Sequence, residues 1–120
     1  MMRQVTGFVA SHTATRAGDA RVTLAGELDH TTAPQVREAV AACMAERPTS
    51  LRLDLSGVGF CDCSGLSVLL ETRLCVLLAG ADLVVTGIGA QLARLISLIG
   101  ADGILAEGRV RADSLLARSE

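Results

Sequence analysis

The sequence predicts a single α/β domain with a mixed, mainly parallel sheet of four to five strands, an N-terminal β-hairpin and about four helices. Three observations predict it. Segments alternating apolar and polar residues take turns with segments of helical periodicity. The connections between them are short, as in units where a helix carries the chain from one parallel strand to the next with right-handed crossovers. Half of the 120 residues are hydrophobic, yet only Phe8 and Phe60 are aromatic, so the core must be built from Leu, Val, Ile and Ala. A chain of this length supports one hydrophobic core.

Residues 5–10 are the first expected strand, residues 14–18 carry turn formers, and residues 20–25 alternate as a second strand, giving a hairpin. Gly26 is expected to end that strand and residues 27–32 to form a polar loop. Pro34 suits a helix's first turn, with Thr31 or Thr32 as cap. Val36, Ala39, Val40, Cys43 and Met44 then recur at the spacing of one buried helical face, and Pro48 closes the helix. Leu51, Leu53 and Leu55 alternate with Arg52 and Asp54, so a half-buried strand follows, ending at Gly57 with Phe60 continuing the buried side.

Residues 64–79 read as the second helix, with Leu66, Leu69, Leu70 and Leu77 on its core face and Gly80 as its stop. Arg73 falls on that same face; either its stem lies along the core with its head in water, or the facing is slightly rotated. Residues 83–86 form a strand, 90–99 a helix, 104–106 a last strand and 111–118 a short terminal helix. The domain is expected to span residues 5–116, with 1–4 and 117–120 as flexible termini.

Composition excludes several functions. A formal charge of −2 offers no basic field for a phosphate backbone, and two phenylalanines make no stacking platform, so no direct nucleic-acid binding is expected. The N-terminus lacks a secretory pattern, and the longest apolar stretch falls far short of the roughly 18 residues that span a bilayer, so no membrane insertion and a cytoplasmic location are expected. Cys43, Cys61, Cys63 and Cys75 include no C-x-x-C pair and are expected as reduced thiols. His12 and His30 make no metal set. Gly87 and Gly89 lack the third glycine of a dinucleotide fingerprint, and Gly57 and Gly59 lack the lysine of a P-loop, so no cofactor is expected.

In open α/β sheets, functional groups gather where strands end and helices begin. Two such loops are polar: residues 27–32 and residues 61–65. The second places Asp62, Cys63 and Ser64 at a helix N-terminus, where unpaired backbone N–H groups and the helix dipole favour an anion such as phosphate.

These loops also carry a family likeness. The stretch D-L-S-G-V-G-F-C-D-C-S-G-L, residues 54–66, and the stretch G-E-L-D-H-T-T, residues 26–32, together resemble the two signature loops of STAS-domain anti-sigma factor antagonists, in matching order. The resemblance covers about residues 5–116. It implies a STAS-like fold and a non-catalytic regulator. Unphosphorylated, such a regulator binds an anti-sigma factor that is also a serine kinase and frees a sigma factor; phosphorylation ends the binding. By this likeness Asp29, Asp62, Cys63, Ser64 and Gly65 form the switch loop and partner surface.

One departure stands out. The family's phosphorylated serine directly follows the aspartate, and here that position is Cys63. Ser64 matches the second, ordinarily unmodified serine, whose plain role is to cap the helix, yet it is the best available acceptor. Ser64 phosphorylation, constitutive binding without a phosphoswitch and oxidation of Cys63 all stay open. Val68, Cys75 and Val76 form an apolar stripe opposite the core face of the second helix, to be covered by a partner protein, by a second copy of the chain in a homodimer, or by the terminal helix or hairpin. A STAS module in a sensory assembly is an alternative function; an enzyme using Cys63 or Ser64 is another, disfavoured because no histidine base is evident near either.

Overall fold

The computed structural model describes residues 7–15 and 17–113. Its elements run β1 (Val9–Ala14), β2 (Asp19–Leu28), α1 (Ala33–Met44), β3 (Ser50–Cys61), α2 (Cys63–Leu78), β4 (Asp82–Thr86), α3 (Ala90–Leu98) and β5 (Gly108–Val110). One five-stranded sheet has the strands in chain order, with β2, β3 and β4 parallel and the two outer strands antiparallel to their neighbours. The expected α/β class and the opening hairpin are both present. The helices α1 and α2 carry the chain between parallel strands and pack against each other, which puts them on one face of the sheet. The terminal helix expected at 111–118 and the flexible termini lie mostly outside the described residues.

The core follows the alternation. Ala20, Val22, Leu24 and Leu28 of β2, Leu51, Leu53 and Leu55 of β3, and Leu83 and Val85 of β4 are buried, against Val36, Ala39, Val40 and Cys43 of α1 and Leu66, Leu69 and Leu77 of α2. Full burial of each Leu or Val contributes about 1.5–3 kcal/mol. Met44 and Leu70, expected inside, are only partly buried at the edge of this cluster.

Several expected boundaries move. β1 is Val9–Ala14, reaching four residues past the expected 5–10, of which 5 and 6 lie outside the described residues; it reads V-A-S-H-T-A, a polar strand held by its register against Ala20–Ala25. β2 runs through Gly26 to Leu28, so Gly26 does not end it. At Gly26 φ is +110°, and a Cβ there would sit 3.0 Å from Phe8 Cα; glycine alone accepts this backbone beside the incoming chain. β3 continues past Gly57 to Cys61 through two register shifts against β2. Each shift reverses which side chains face inward, and two restore the original phase. The inward series Leu51, Leu53, Leu55 therefore arrives at Cys61, which is buried, while Phe60 is 46% exposed and does not continue the buried side. The last strand is Gly108–Val110 rather than 104–106, because it is Val110, Arg109 and Gly108 that pair with Leu83, Val84 and Val85.

The apolar stripe of α2 is also corrected. Val68 and Val76 are both 0% exposed and belong to the core cluster; only Cys75 of the three is exposed. The helix α2 packs against the sheet on one side and against its neighbour α1 on another, so it buries two faces. Thr72, inside the same helix, is buried with its hydroxyl donating to Val68 O at 2.8 Å. Arg73 keeps a partly exposed side chain, but its Nε is buried and has no hydrogen-bond partner. On the outer surface, Arg37 of α1 and Glu71 of α2 form an ion pair at 2.9 Å with both side chains about half exposed. No described helix is long and apolar enough to cross a membrane.

Candidate functional site

Both polar loops lie where parallel strands end. The register pairs Leu28 with Cys61, and Asp62 N donates to Leu28 O at 3.2 Å, so the loop after β2 and the loop after β3 are neighbours at one edge of the sheet. Gly65, buried in the first turn of α2, brings that helix close to the Leu28 carbonyl.

The first loop is organised by Asp29. Its Oδ1 accepts from Thr31 Oγ1 at 2.7 Å, Thr31 N at 2.9 Å and Thr32 N at 3.2 Å. The Thr31 hydroxyl first, and these N–H groups with it, hold the Asp29 carboxyl below its ordinary range against a smaller opposing effect of desolvation. Thr32 stands at the N-cap position of α1, but its hydroxyl donates back to Glu27 O at 3.0 Å rather than capping the helix. The turn is closed by the backbone, with Ala33 N donating to Asp29 O at 2.9 Å. His30 is exposed beside it.

The second loop corrects the capping assignment. The cap of α2 is Asp62, in extended backbone conformation, with Oδ1 accepting from Gly65 N at 2.9 Å. Cys63 is therefore the first residue of the helix and Ser64 the second; both are exposed. Ser64 is not the cap, and its hydroxyl makes no hydrogen bond to any described residue. It lies in the first helical turn, where orphan N–H groups and the dipole favour negative charge.

Sequence reasoning missed Gln91. β4 pairs with β3 only from Ser50 to Asp54, so the far half of β3 outruns its neighbour. Leu28 takes up one side of the chain there, and the side chain of Gln91, at the start of α3, serves the other. Its Oε1 accepts from Cys61 N at 2.9 Å and its Nε2 donates to Cys61 O at 2.8 Å. A side-chain amide thus substitutes for a strand and fixes the peptide just before the start of α2. The only signal in the sequence is the length mismatch between the two strands, which is not visible until they are paired. Gln91→Ala leaves both groups of Cys61 without this partner and is expected to cost about 1–3 kcal/mol, read as a lower urea midpoint at unchanged slope.

The four thiols differ in setting. Cys43 and Cys61 are buried, whereas Cys63 and Cys75 are exposed, so Cys61 and Cys63 face different environments and do not form a paired site. Burial, reinforced by the nearby Asp62 charge, pushes the Cys61 thiol up to about 12, and burial also raises that of Cys43. Among described residues no cluster of His, Cys, Asp and Glu could hold a metal ion. The sequence contains no tyrosine, and all eleven of its Lys and Arg positions are arginine, so no tyrosine or lysine titration overlaps that of the raised Cys61 and Cys43 thiols. A buried thiol with a raised pKa gives stability that is intact below the unfolded-state value of roughly 8.5 and is lost as pH rises toward the folded-state value. Stability is thus expected to fall across that alkaline window. Cys61→Ala, whatever it costs at neutral pH, should flatten the fall; an unchanged slope would place the titration elsewhere.

The comparisons with known proteins agree with this architecture. The family model described as "Mlab, STAS domain" matches residues 11–107. The chain is 33% identical over 82 residues to the anti-sigma-B factor antagonist of Listeria monocytogenes, covering 68% of this chain and 72% of that protein. It is also 33% identical over 87 residues to the anti-sigma-B factor antagonist of Bacillus subtilis, covering 72% of this chain and 79% of the relative. The crystal structure of an anti-sigma factor antagonist from Mycobacterium paratuberculosis superimposes with a TM-score of 0.72 at 28% identity, over 96% of this chain and 97% of that one. Overall fold and sequence likeness thus coincide, and the chain belongs to the STAS-domain family, with anti-sigma factor antagonists among its relatives.

Proposed function

We propose that this protein is a non-catalytic, cytoplasmic anti-sigma factor antagonist: it binds an anti-sigma factor that is also a serine kinase and thereby releases a sigma factor. The observation that carries the reading is the exposed first turn of α2, where Asp62 holds the helix start and Cys63 and Ser64 face solvent beside the Asp29 loop. Asp29, Asp62, Cys63, Ser64 and Gly65 are the residues of the switch, with Gly65 acting through backbone placement. Val68 is excluded from direct contact by its burial.

Ser64 is the proposed phosphoacceptor. Since Asp62 makes the cap, modifying the Ser64 hydroxyl breaks no hydrogen bond of the fold. A phosphoryl group adds about −1.5 to −2 charges and three acceptors. The helix N-terminus tolerates that charge, so the fold persists while the surface offered to the partner becomes crowded and repulsive beside Asp62. A second reading, constitutive binding without phosphorylation, is favoured by Cys63 standing directly after the aspartate, where the family pattern has its acceptor serine.

The test mixes the chain with its cognate anti-sigma factor already holding a sigma factor and follows the complexes by size-exclusion chromatography. Release of free sigma factor is expected; an unchanged complex at excess chain rejects the antagonist reading. Incubation with the kinase and ATP should label the wild type and not Ser64→Ala. Equal labelling of both proteins sinks the Ser64 assignment, and no labelling with intact release supports constitutive binding.

A further inference from the structure

The sheet face turned away from the buried leucines carries a row of arginines. Register places Thr13 beside Arg21, Arg21 beside Arg52, Arg52 beside Val84 and Val84 beside Arg109, so one line of residues crosses all five strands. Their neighbours Ala20, Val22, Leu51, Leu53, Leu83 and Val85 point inward, which turns this row to the other side. Arg21 and Arg52 start roughly 5 Å apart on adjacent strands, and like charges placed directly opposite are destabilising.

Of the acids nearby, Asp19 and Asp82 are engaged elsewhere, while Asp54, held by Ser56, also feels the charges of Arg21 and Arg52, which help to keep its carboxyl below the ordinary range. Asp19 accepts from Ser50 Oγ at 2.9 Å, and Asp54 accepts from Ser56 N at 3.0 Å and Ser56 Oγ at 2.7 Å. Asp82 pairs with Arg109 at 3.1 Å and accepts from Ala112 N at 3.0 Å. No described residue forms an ion pair or hydrogen bond with the side chain of Arg21 or Arg52. Both line a concavity of about 350 Å³, together with Arg109, Val84 and the hydroxyl-bearing Thr13; Asp19 is the one acid on its wall.

We propose that this concavity is a binding site for a small oligophosphate. A guanidinium presents a planar fork of donors that matches phosphate oxygens two at a time; the single Asp54 charge offsets only part of the two positive charges, and two adjacent forks with no direct bond relieve the rest of their repulsion by sharing one dianionic group. The row continues from Arg52 to Arg109 over roughly 10 Å, two strand spacings, so a chain of phosphates reaches more donors than a single one. No aromatic residue lines the concavity to stack a base, so recognition rests on the phosphates. The site shares no residue with the two switch loops and does not depend on the antagonist reading.

Titration calorimetry of the whole chain with orthophosphate, pyrophosphate and tripolyphosphate, at ionic strength balanced with potassium chloride, tests it. Saturable binding is expected, tightening with phosphate number. Arg52→Gln should weaken tripolyphosphate binding by about ten- to a hundredfold, the worth of one or two charge-assisted hydrogen bonds, while its unliganded melting temperature is unchanged or higher. Arg21→Gln repeats the measurement at the neighbouring position. Arg94→Gln on α3 removes the same charge outside the row and should leave affinity within about twofold. Absence of saturable binding at millimolar tripolyphosphate, or equal weakening by Arg52→Gln and Arg94→Gln, overturns the proposal.

Discussion

Val68→Asp is expected to unfold the domain or lower its melting temperature by roughly 12–20 °C. Val68 is 0% exposed within the core cluster, on a helix that packs against both the sheet and α1. A carboxylate there would stand among the apolar side chains of the core cluster, and an uncompensated buried charge costs about 3–5 kcal/mol. Small domains have about 5–15 kcal/mol in total, and each kcal/mol moves the melting temperature of a chain this size by roughly 4 °C. Circular dichroism melts of wild type and variant give the answer. A folded Val68→Asp protein with a native melting temperature would mean that this side of α2 is open, and would restore the partner-facing stripe that the sequence suggested.

The reason that stripe was misread is physical. Periodicity identifies a buried face by contrast with a polar one, and α2 offers little contrast, since Gly65, Leu66, Val68, Leu69, Thr72, Val76 and Leu77 are all buried. Its second covered side comes from α1, a long-range contact. By comparison α1 packs one face, and the series Val36, Ala39, Val40, Cys43 was legible at once. The same distinction separates the strands. The alternating leucines of β3 announce themselves, whereas β1 and β5 are strands because β2 and β4 pair with them, and their own residues carry a weak preference.

The candidate site divides in the same way. Both polar loops were legible because strand ends and helix starts have local chemistry, and their adjacency follows once the strands are parallel. The cap was displaced by two residues, from Ser64 to Asp62, because either side chain suits that role and only backbone geometry chooses. That small displacement bears on the proposed phosphorylation, since it leaves the Ser64 hydroxyl free of a capping bond. Gln91 was illegible: its partner, the Cys61 peptide, lies thirty positions away, and an isolated glutamine in a helix's first turn has no pattern.

Gly65→Ala brings the fold and the site to a single test. A Cβ on Gly65 would press into the carbonyl oxygen of Leu28, and would lie 2.8 Å from Leu28 Cγ and 2.9 Å from Cys61 Sγ. Flexible side chains can yield; the Leu28 carbonyl cannot easily do so, because it accepts from Asp62 N and ends the β2–β3 pairing. The substitution adds one methyl group and still is expected to cost about 1–3 kcal/mol through overpacking, despite alanine's better helix propensity. Relief comes by moving the first turn of α2 away from the sheet, which carries Cys63 and Ser64 with it and loosens the Asp62 cap. On the proposed function, partner binding should therefore fall further than stability alone explains, with every side chain of the two loops still present. Urea denaturation, measured beside binding at a temperature where both proteins are fully folded, separates the two effects. Native stability and native affinity in Gly65→Ala would show that α2 can stand off from the Leu28 carbonyl, and that close approach would then not be what positions the switch.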